Sequence, residues 1–237
     1  MPVLVSPYRF APAGAGYAAE VLADSPIGYW RQGDPSGTTM TDSSGNARHG
    51  TYTASPTLGT TGLLAGDSDT AVAYNGTTQY ALVADDNSLD SLTTFTVEAI
   101  IKASSVSGTP QIVARDGGSG NRHWQFRLSA GTLQFVKIAG GVVTASSAAT
   151  LSTGTTYHVA ATYDGSNIRL YIDGAANGTP PSATGNLGAS TQDLQFAMCR
   201  SSTSNNPNNF FNGVIDEVAV YGSALSAVRL AAHNAAR

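Results

Sequence analysis

The sequence is poor in the groups that most often carry chemistry. It holds one cysteine, Cys199, only three glutamates, Glu20, Glu98 and Glu217, and four histidines, His49, His123, His158 and His233, that stand far apart. A lone cysteine excludes an intramolecular disulfide, and its place in the apolar run LQFAMC predicts a buried thiol. Charged residues are 12% of the chain, against about a quarter in ordinary globular proteins. With a net charge of −4 there is no basic stripe for phosphates, so nucleic acid is excluded as a partner. No segment approaches the roughly 20 apolar residues that cross a bilayer, so no membrane insertion is expected. Neither His-Glu-x-x-His nor Gly-x-Ser-x-Gly occurs. The opening MPVLVSPYRFAPAGAG lacks the charged start and apolar core of a secretory leader.

What is abundant is Gly, Ser, Thr and Asn, the composition of short strands joined by many turns. Residues 1–16, rich in Pro, Ala and Gly with scattered apolar anchors, read as an extended arm, either disordered or docked on a neighbour. Docking of this kind would allow a homo-oligomer built through the arm. Residues 17–237 read as one domain. Tyr17 to Leu22 could form one helical turn, and IGYWRQGD a first strand. TAVAYNGTTQYALVAD gives two strands around Asn75-Gly76, a strong hairpin signal. In FTVEAIIK, Phe95, Val97, Ala99 and Ile101 alternate with Thr96, Glu98, Ile100 and Lys102. A meander through residues 111–136 follows. Tyr157 to Tyr163 alternates with period two, Asp164-Gly165-Ser166-Asn167 supplies a turn, and Ile168 to Ile172 returns as a strand. After a long polar loop, Leu194 to Cys199 and Phe211 to Tyr221 read as strands, and Ser226 as the N-cap of a closing helix. The core is expected to include Phe95, Val97, Val159, Ala161, Ile172, Val214 and Val218, with Trp30 inside it.

Three stretches carry a resemblance. YHVAATYDGSNIRLYIDG resembles the central hairpin of the laminin G-like, or concanavalin A-like, jelly-roll family. Asp42-Ser43-Ser44-Gly45-Asn46 followed by Gly50-Thr51-Tyr52 resembles a second signature of the family, and FNGVIDEVAVY its closing strand. The resemblance spans about residues 18–232. It implies an all-β, two-sheet antiparallel jelly-roll sandwich with a short C-terminal helix, and makes His158 a scaffold residue. The scaffold alone does not fix function, because it serves glycan binding, protein binding and catalysis.

In related jelly rolls an Asp of the closing strand ligates a structural calcium ion with an Asp from an N-terminal loop. Carried over, Asp216 and Asp42 become the candidate ligands, with backbone oxygens completing a shell of six to eight. The alternative for Asp42 is a plain turn residue. Gln79 stands where some members use an Asp for a second, ligand-bridging ion. Sugar recognition would draw on exposed aromatics, amides, Arg and carboxylates. The loops offer Arg115, Asp116, Arg122, Trp124, Asn205 and Phe210. Glycosidases of this architecture set two carboxylates across the scissile bond. None of the three glutamates stands in the Glu-x-Asp-x-x-Glu strand several of them use, so the chain is expected to be non-catalytic. The expected role is binding or decoration. One setting is a bacteriophage virion, as a tail or capsid component meeting host glycans or neighbouring virion proteins. The alternatives are an extracellular, lectin-like module of a secreted bacterial protein and a glycoside hydrolase.

Overall fold

A computed structural model describes residues 16–117 and 121–237. The arm expected over residues 1–16 therefore lies, Gly16 apart, outside the described residues. Strands follow in order as β1 (Gly28–Trp30), β2 (Thr39–Met40), β3 (Gly50–Thr53), β4 (Thr57–Thr61), β5 (Thr70–Asn75), β6 (Tyr80–Val83), β7 (Phe95–Ala103), β8 (Gln111–Asp116) and β9 (Arg122–Ser129). They continue as β10 (Thr132–Lys137), β11 (Val143–Thr150), β12 (Thr156–Tyr163), β13 (Ile168–Ile172), β14 (Ala175–Ala176), β15 (Leu194–Phe196), β16 (Cys199–Arg200), β17 (Pro207–Asn208) and β18 (Asn212–Tyr221). Helix α1 (Tyr17–Ala23) precedes them and α2 (Ala227–Ala235) closes the chain, with Ser226 Oγ accepting from Arg229 N–H as its N-cap.

Two antiparallel sheets face one another. The first runs β14-β13-β12-β7-β18-β5-β4, with β1 also paired to β18; the second runs β11-β10-β9-β8-β15-β6-β3-β2. Their inner faces interdigitate Phe95, Val97, Ala99 and Ile101 with Trp124, Phe126, Phe135 and Phe196, and Trp30 packs edge-on against Phe196. β7 is buried on its other face too. There α1 and α2 lie over Ile100, Ala160, Tyr171 and Tyr221, so only Lys102 of the outward set reaches solvent.

Three sequence expectations fail for identifiable reasons. Asn75-Gly76 does not join a hairpin, because β5 and β6 belong to different sheets. Asn75 Oδ1 instead accepts from the amides of Thr77, Thr78 and Gln79 and turns the chain around a sandwich corner. Val214 is half-buried, whereas Ile215, Val218 and Val220 lie in the core. Glu217, with φ 51°, forms a bulge that shifts the register of β18 on β7 between Asp216 and Ala219. One extra residue flips the parity, so 214 and 218 cannot both point inward. Gly213 of the closing signature has φ +141°, and a Cβ there would sit 2.4 Å from the Lys102 carbonyl oxygen. Ala197, at φ 61°, likewise breaks the strand expected over 194–199 into β15 and β16.

Beneath the helix pair lies a buried polar knot. Glu98, on β7, accepts from His158 Nε2 at 2.8 Å, from His233 Nδ1 at 3.0 Å, and from the Tyr221 hydroxyl. His233 on α2 places Nε2 3.0 Å from Asp24 Oδ2, and Arg229 bonds both Asp24 and Glu20 at 2.8 Å. Tyr17 sets its edge against both imidazoles. The knot fastens both helices to the sheet.

Candidate functional site

The two expected calcium ligands occupy different settings. Asp42 organises the loop after β2: Oδ1 accepts from the Tyr29 and Ser44 amides, Oδ2 from Ser44 Oγ and the Arg48 amide, at 2.8–3.0 Å. Burial opposes its ionisation, but these donors outweigh it and hold the carboxyl below its ordinary range. Four donors use the roughly four lone-pair sites of a carboxylate, leaving none for a metal. Asp216, paired with Ile100 on the outer face of the first sheet just before the bulge, accepts from Leu63 N–H through Oδ2 at 2.8 Å. Its Oδ1 is buried and has no partner among the described residues. Burial, joined by the charges of Glu217 and Asp69, pushes Asp216 up to about 8. Among the described residues no group of three or more His, Cys, Asp or Glu is disposed to hold a metal. The Asp42–Asp216 pair does not fit a calcium ion.

This yields a prediction of opposite sign for the two readings. Because its folded pKa is raised, Asp216 favours the folded state most below about 3.8 and destabilises it increasingly as pH rises through 8. Asp216→Asn is therefore expected to stabilise the protein at pH 9 by about 1–3 kcal/mol, with a melting temperature indifferent to chelator. Were a cation held there, the same substitution would destabilise, and chelation would lower the melting temperature of the parent.

The loop residues gather at one end of the second sheet. Arg115, expected as a sugar contact, is 1% exposed and works from behind. Its Nη1 donates to Leu89 O at 2.8 Å and Asp90 Oδ1 at 2.7 Å; Nη2 donates to Asp85 Oδ1 and to Ser190 O at 3.2 Å; Nε donates to Gln192 O at 3.2 Å. One guanidinium thus ties the β6–β7 connection to the segment before β15. Asp90 Oδ1 also receives the Ser190 amide at 2.9 Å, and Asn121 reaches Thr191 Oγ1 at 3.1 Å. Between these segments opens a cleft of about 370 Å³ lined by Asp85, Asn87, Asp90, Asn121, Ser190 and Thr191. His123 backs it, with Nε2 2.9 Å from Asn121 Oδ1, and burial lowers its pKa.

The remaining candidates are dispersed. Trp124, expected as a stacking platform, is 1% exposed and packs between Phe95 and Phe135 in the core, so it has no face to offer a sugar. Asp116 is fully buried and serves as the bidentate partner of Arg122, at 3.0 and 2.8 Å. Asn205 lies in the loop joining β16 and β17, and half-buried Phe210 leans on Tyr80 with ring centroids 6.3 Å apart. Cys199 is buried, which pushes its thiol up to about 11. The cleft itself escaped the sequence reading. Its trace was the polar run ADDNSLD between β6 and β7, where Asp85, Asn87 and Asp90 fall.

The cleft is rich in carboxylate oxygens, amides and a hydroxyl. Its wall holds two carboxylates against a single guanidinium that faces inward. Such a surface accepts from and donates to hydroxyls and disfavours anions.

By structure, the chain is similar to domain 4 of AbnA, an extracellular GH43 arabinanase from Geobacillus stearothermophilus determined in complex with arabinotriose: TM-score 0.65, 18% identity, 89% of this chain and 98% of that one. It is similar to the binding domain of Paraclostridial Mosquitocidal Protein 1 (TM-score 0.66, 16% identity, 89% of this chain and 52% of that one). A structure of botulinum neurotoxin type C, whose cell entry depends on two ganglioside molecules, matches with TM-score 0.66 and 13% identity over 93% of this chain and 53% of that one. The chain thus spans nearly all of the arabinanase domain and about half of the two toxin chains. No curated protein sequence matches it. A laminin G-type family model, described as the concanavalin A-like lectin/glucanases superfamily, matches residues 75–231. That match takes in β6 to β18, the strands that carry most of both sheets, and the whole lining of the cleft, and the chain belongs to this superfamily.

Proposed function

We propose that the protein is a non-catalytic glycan-recognition module whose ligand is a neutral sugar held in the cleft between Asp85, Asn87, Asp90, Asn121 and Thr191. The observation that carries this reading is the cleft's chemistry: exposed acceptors and amides on walls fixed from behind by buried Arg115. Hydroxyls of a sugar satisfy both kinds of group at once, and pre-fixed walls cut the ordering cost of binding. Among the described residues no aromatic side chain lines the cleft, so recognition rests on hydrogen bonds and suits weak, multivalent capture. All three glutamates are engaged elsewhere, Glu20 by Arg229, Glu98 by two imidazoles, and Glu217 by Arg31 and Tyr29. That supports binding rather than hydrolysis.

Likeness in fold to a domain of an extracellular arabinanase supports the setting of an accessory module in a secreted protein. A place in a bacteriophage virion, touching host glycans or neighbouring virion proteins, would use the same cleft. The test is affinity electrophoresis in gels containing neutral polysaccharides, beginning with arabinan. The parent is expected to be retarded, and the double variant Asn87→Ala/Thr191→Ala to bind about tenfold more weakly, as expected for loss of two hydrogen-bonding side chains. Equal retardation of parent and variant would remove the cleft from the account. Release of reducing sugar would overturn the non-catalytic reading.

A further inference from the structure

Charge pairing among the described residues leaves one arginine apart. Arg31, Arg48, Arg115, Arg122, Arg169, Arg200, Arg229 and Arg237 each lie within ion-pair distance of a carboxylate. Arg127 has no such partner among the described residues, and residues 1–15 and 118–120 contain no Asp or Glu. It sits on β9, half-buried, on the side of the second sheet turned away from the core. The register explains why its neighbours gather there. Trp124, Phe126 and Leu128 point inward, so Gln125 and Arg127 point outward. A shift in the β8–β9 pairing between Arg115 and Asp116 brings Arg122 to the outer side with Asp116.

The outward side chains form a chain of hydrogen bonds across four strands. Gln125 Nε2 donates to Asp116; Arg127 Nη1 donates to Gln125 Oε1 at 2.7 Å and Nε to Gln134 Oε1 at 3.1 Å; Gln134 Nε2 donates to Ser146 Oγ at 3.1 Å. Asp116 is spent on Arg122, and the nearby Cys199 thiol is held neutral. The patch therefore keeps one uncompensated positive charge at Arg127. Burial first, and then the Arg122 charge, lower the pKa of Arg127, the response expected of a cation short of counter-charge. Two neutral amides pin the guanidinium plane, and Nη2 has no acceptor among the described residues.

We infer that this face is a second binding site, in which Arg127 receives the carboxylate of a uronate-bearing polysaccharide lying across β9 to β11. Asp116 and Gln125 at the β8 end of the row are buried, so its exposed part runs from Arg127 to Ser146 over two interstrand spacings, about 10 Å, enough for a disaccharide unit. A pinned, planar fork matches a carboxylate better than a point cation does. The accessible groups of the row beside it are the Gln134 amide and the Ser146 hydroxyl, which suit sugar hydroxyls; a protein partner would call for apolar or aromatic anchors. The cleft and this face differ in sign, so the inference stands apart from the neutral-sugar reading.

The test is calorimetric titration of the full chain with oligogalacturonate and with the same oligomer fully methyl-esterified, at low and high salt. The parent is expected to bind the free acid in a salt-sensitive way and the ester at least about tenfold more weakly. Arg127→Gln should lose about tenfold or more toward the acid and Arg127→Lys should recover part of it, both melting with the parent because no ion pair is removed. Equal affinity of Arg127→Gln and parent would overturn the inference. So would equal binding of acid and ester, no binding of the acid, or binding of dextran sulfate in preference to it. Arabinotriose titrated against the same proteins and against Asn87→Ala/Thr191→Ala separates the sites. Loss of neutral-sugar binding in the double variant, with uronate binding kept, leaves this inference standing, and the converse leaves the cleft standing.

Discussion

Replacing Glu98 with Ala is expected to cost about 3–5 kcal/mol of unfolding free energy, the price of stranding buried charge, as measured by denaturant titration at pH 6. Glu98 is fully buried and receives His158, His233 and Tyr221. Its loss leaves His233 facing Asp24 alone and two further donors without an acceptor. Burial works against charge on both partners. The His233 charge and the two imidazole bonds nevertheless hold Glu98 well below its ordinary range. The Glu98 charge and the bonds to Asp24 and Glu98 push His233 up to about 9. The sign of the pH dependence follows. His233, raised from 6.5, contributes fully below that pH and its contribution is lost as pH rises through about 9. Glu98, depressed from 4.5, contributes fully above that pH and its contribution is lost on acidification. The knot is therefore strongest between about pH 4.5 and 6.5. In Glu98→Ala this plateau should flatten, and α1 and α2 should exchange amide hydrogens earlier than the strands. A variant as stable as the parent, with an unchanged pH profile, would show that the helices are held by apolar contacts alone.

The second large effect is expected at Arg115. Arg115→Met keeps the stem but removes five donated bonds, to Leu89 O, Asp90, Asp85, Ser190 O and Gln192 O. Three of these acceptors are backbone carbonyls, and the two carboxylates lose the one guanidinium that pairs with them among the described residues. A loss of about 3 kcal/mol in stability is expected, together with loss of detectable sugar binding, since the walls that carry Asp85 and Thr191 lose their tie. The two readouts separate at low temperature. There the variant should remain folded by circular dichroism and still fail to bind. Binding at parental strength by Arg115→Met would mean that the walls need no such clamp.

Much of this architecture was legible in the residues. Alternation in Phe95–Ala103 and Tyr157–Tyr163, and turn chemistry at Asp164-Gly165, report local geometry that the sandwich preserves. Ser226 caps its helix because the motif is local. What was illegible depends on register or distance. The bulge at Glu217 inverts Val214 and Ile215 without any change in composition, and the pairing of β5 and β6 to different sheets turns an Asn-Gly signal into a corner. The site was harder still. Arg115 and Trp124 were singled out for their chemistry, and burial reassigns the first to support and the second to core. Arg127, by contrast, resembles any strand arginine until every other described pair has been matched.

The most direct test of the central claim is a titration of isotopically labelled protein with arabinotriose, followed by amide chemical shifts. Progressive, saturable shifts are expected, confined to residues 85–90, 121 and 189–192, with the amides of 26–48 and of α2 unmoved. Shifts clustered elsewhere, or none at millimolar sugar across a panel of neutral oligosaccharides, would contradict the claim.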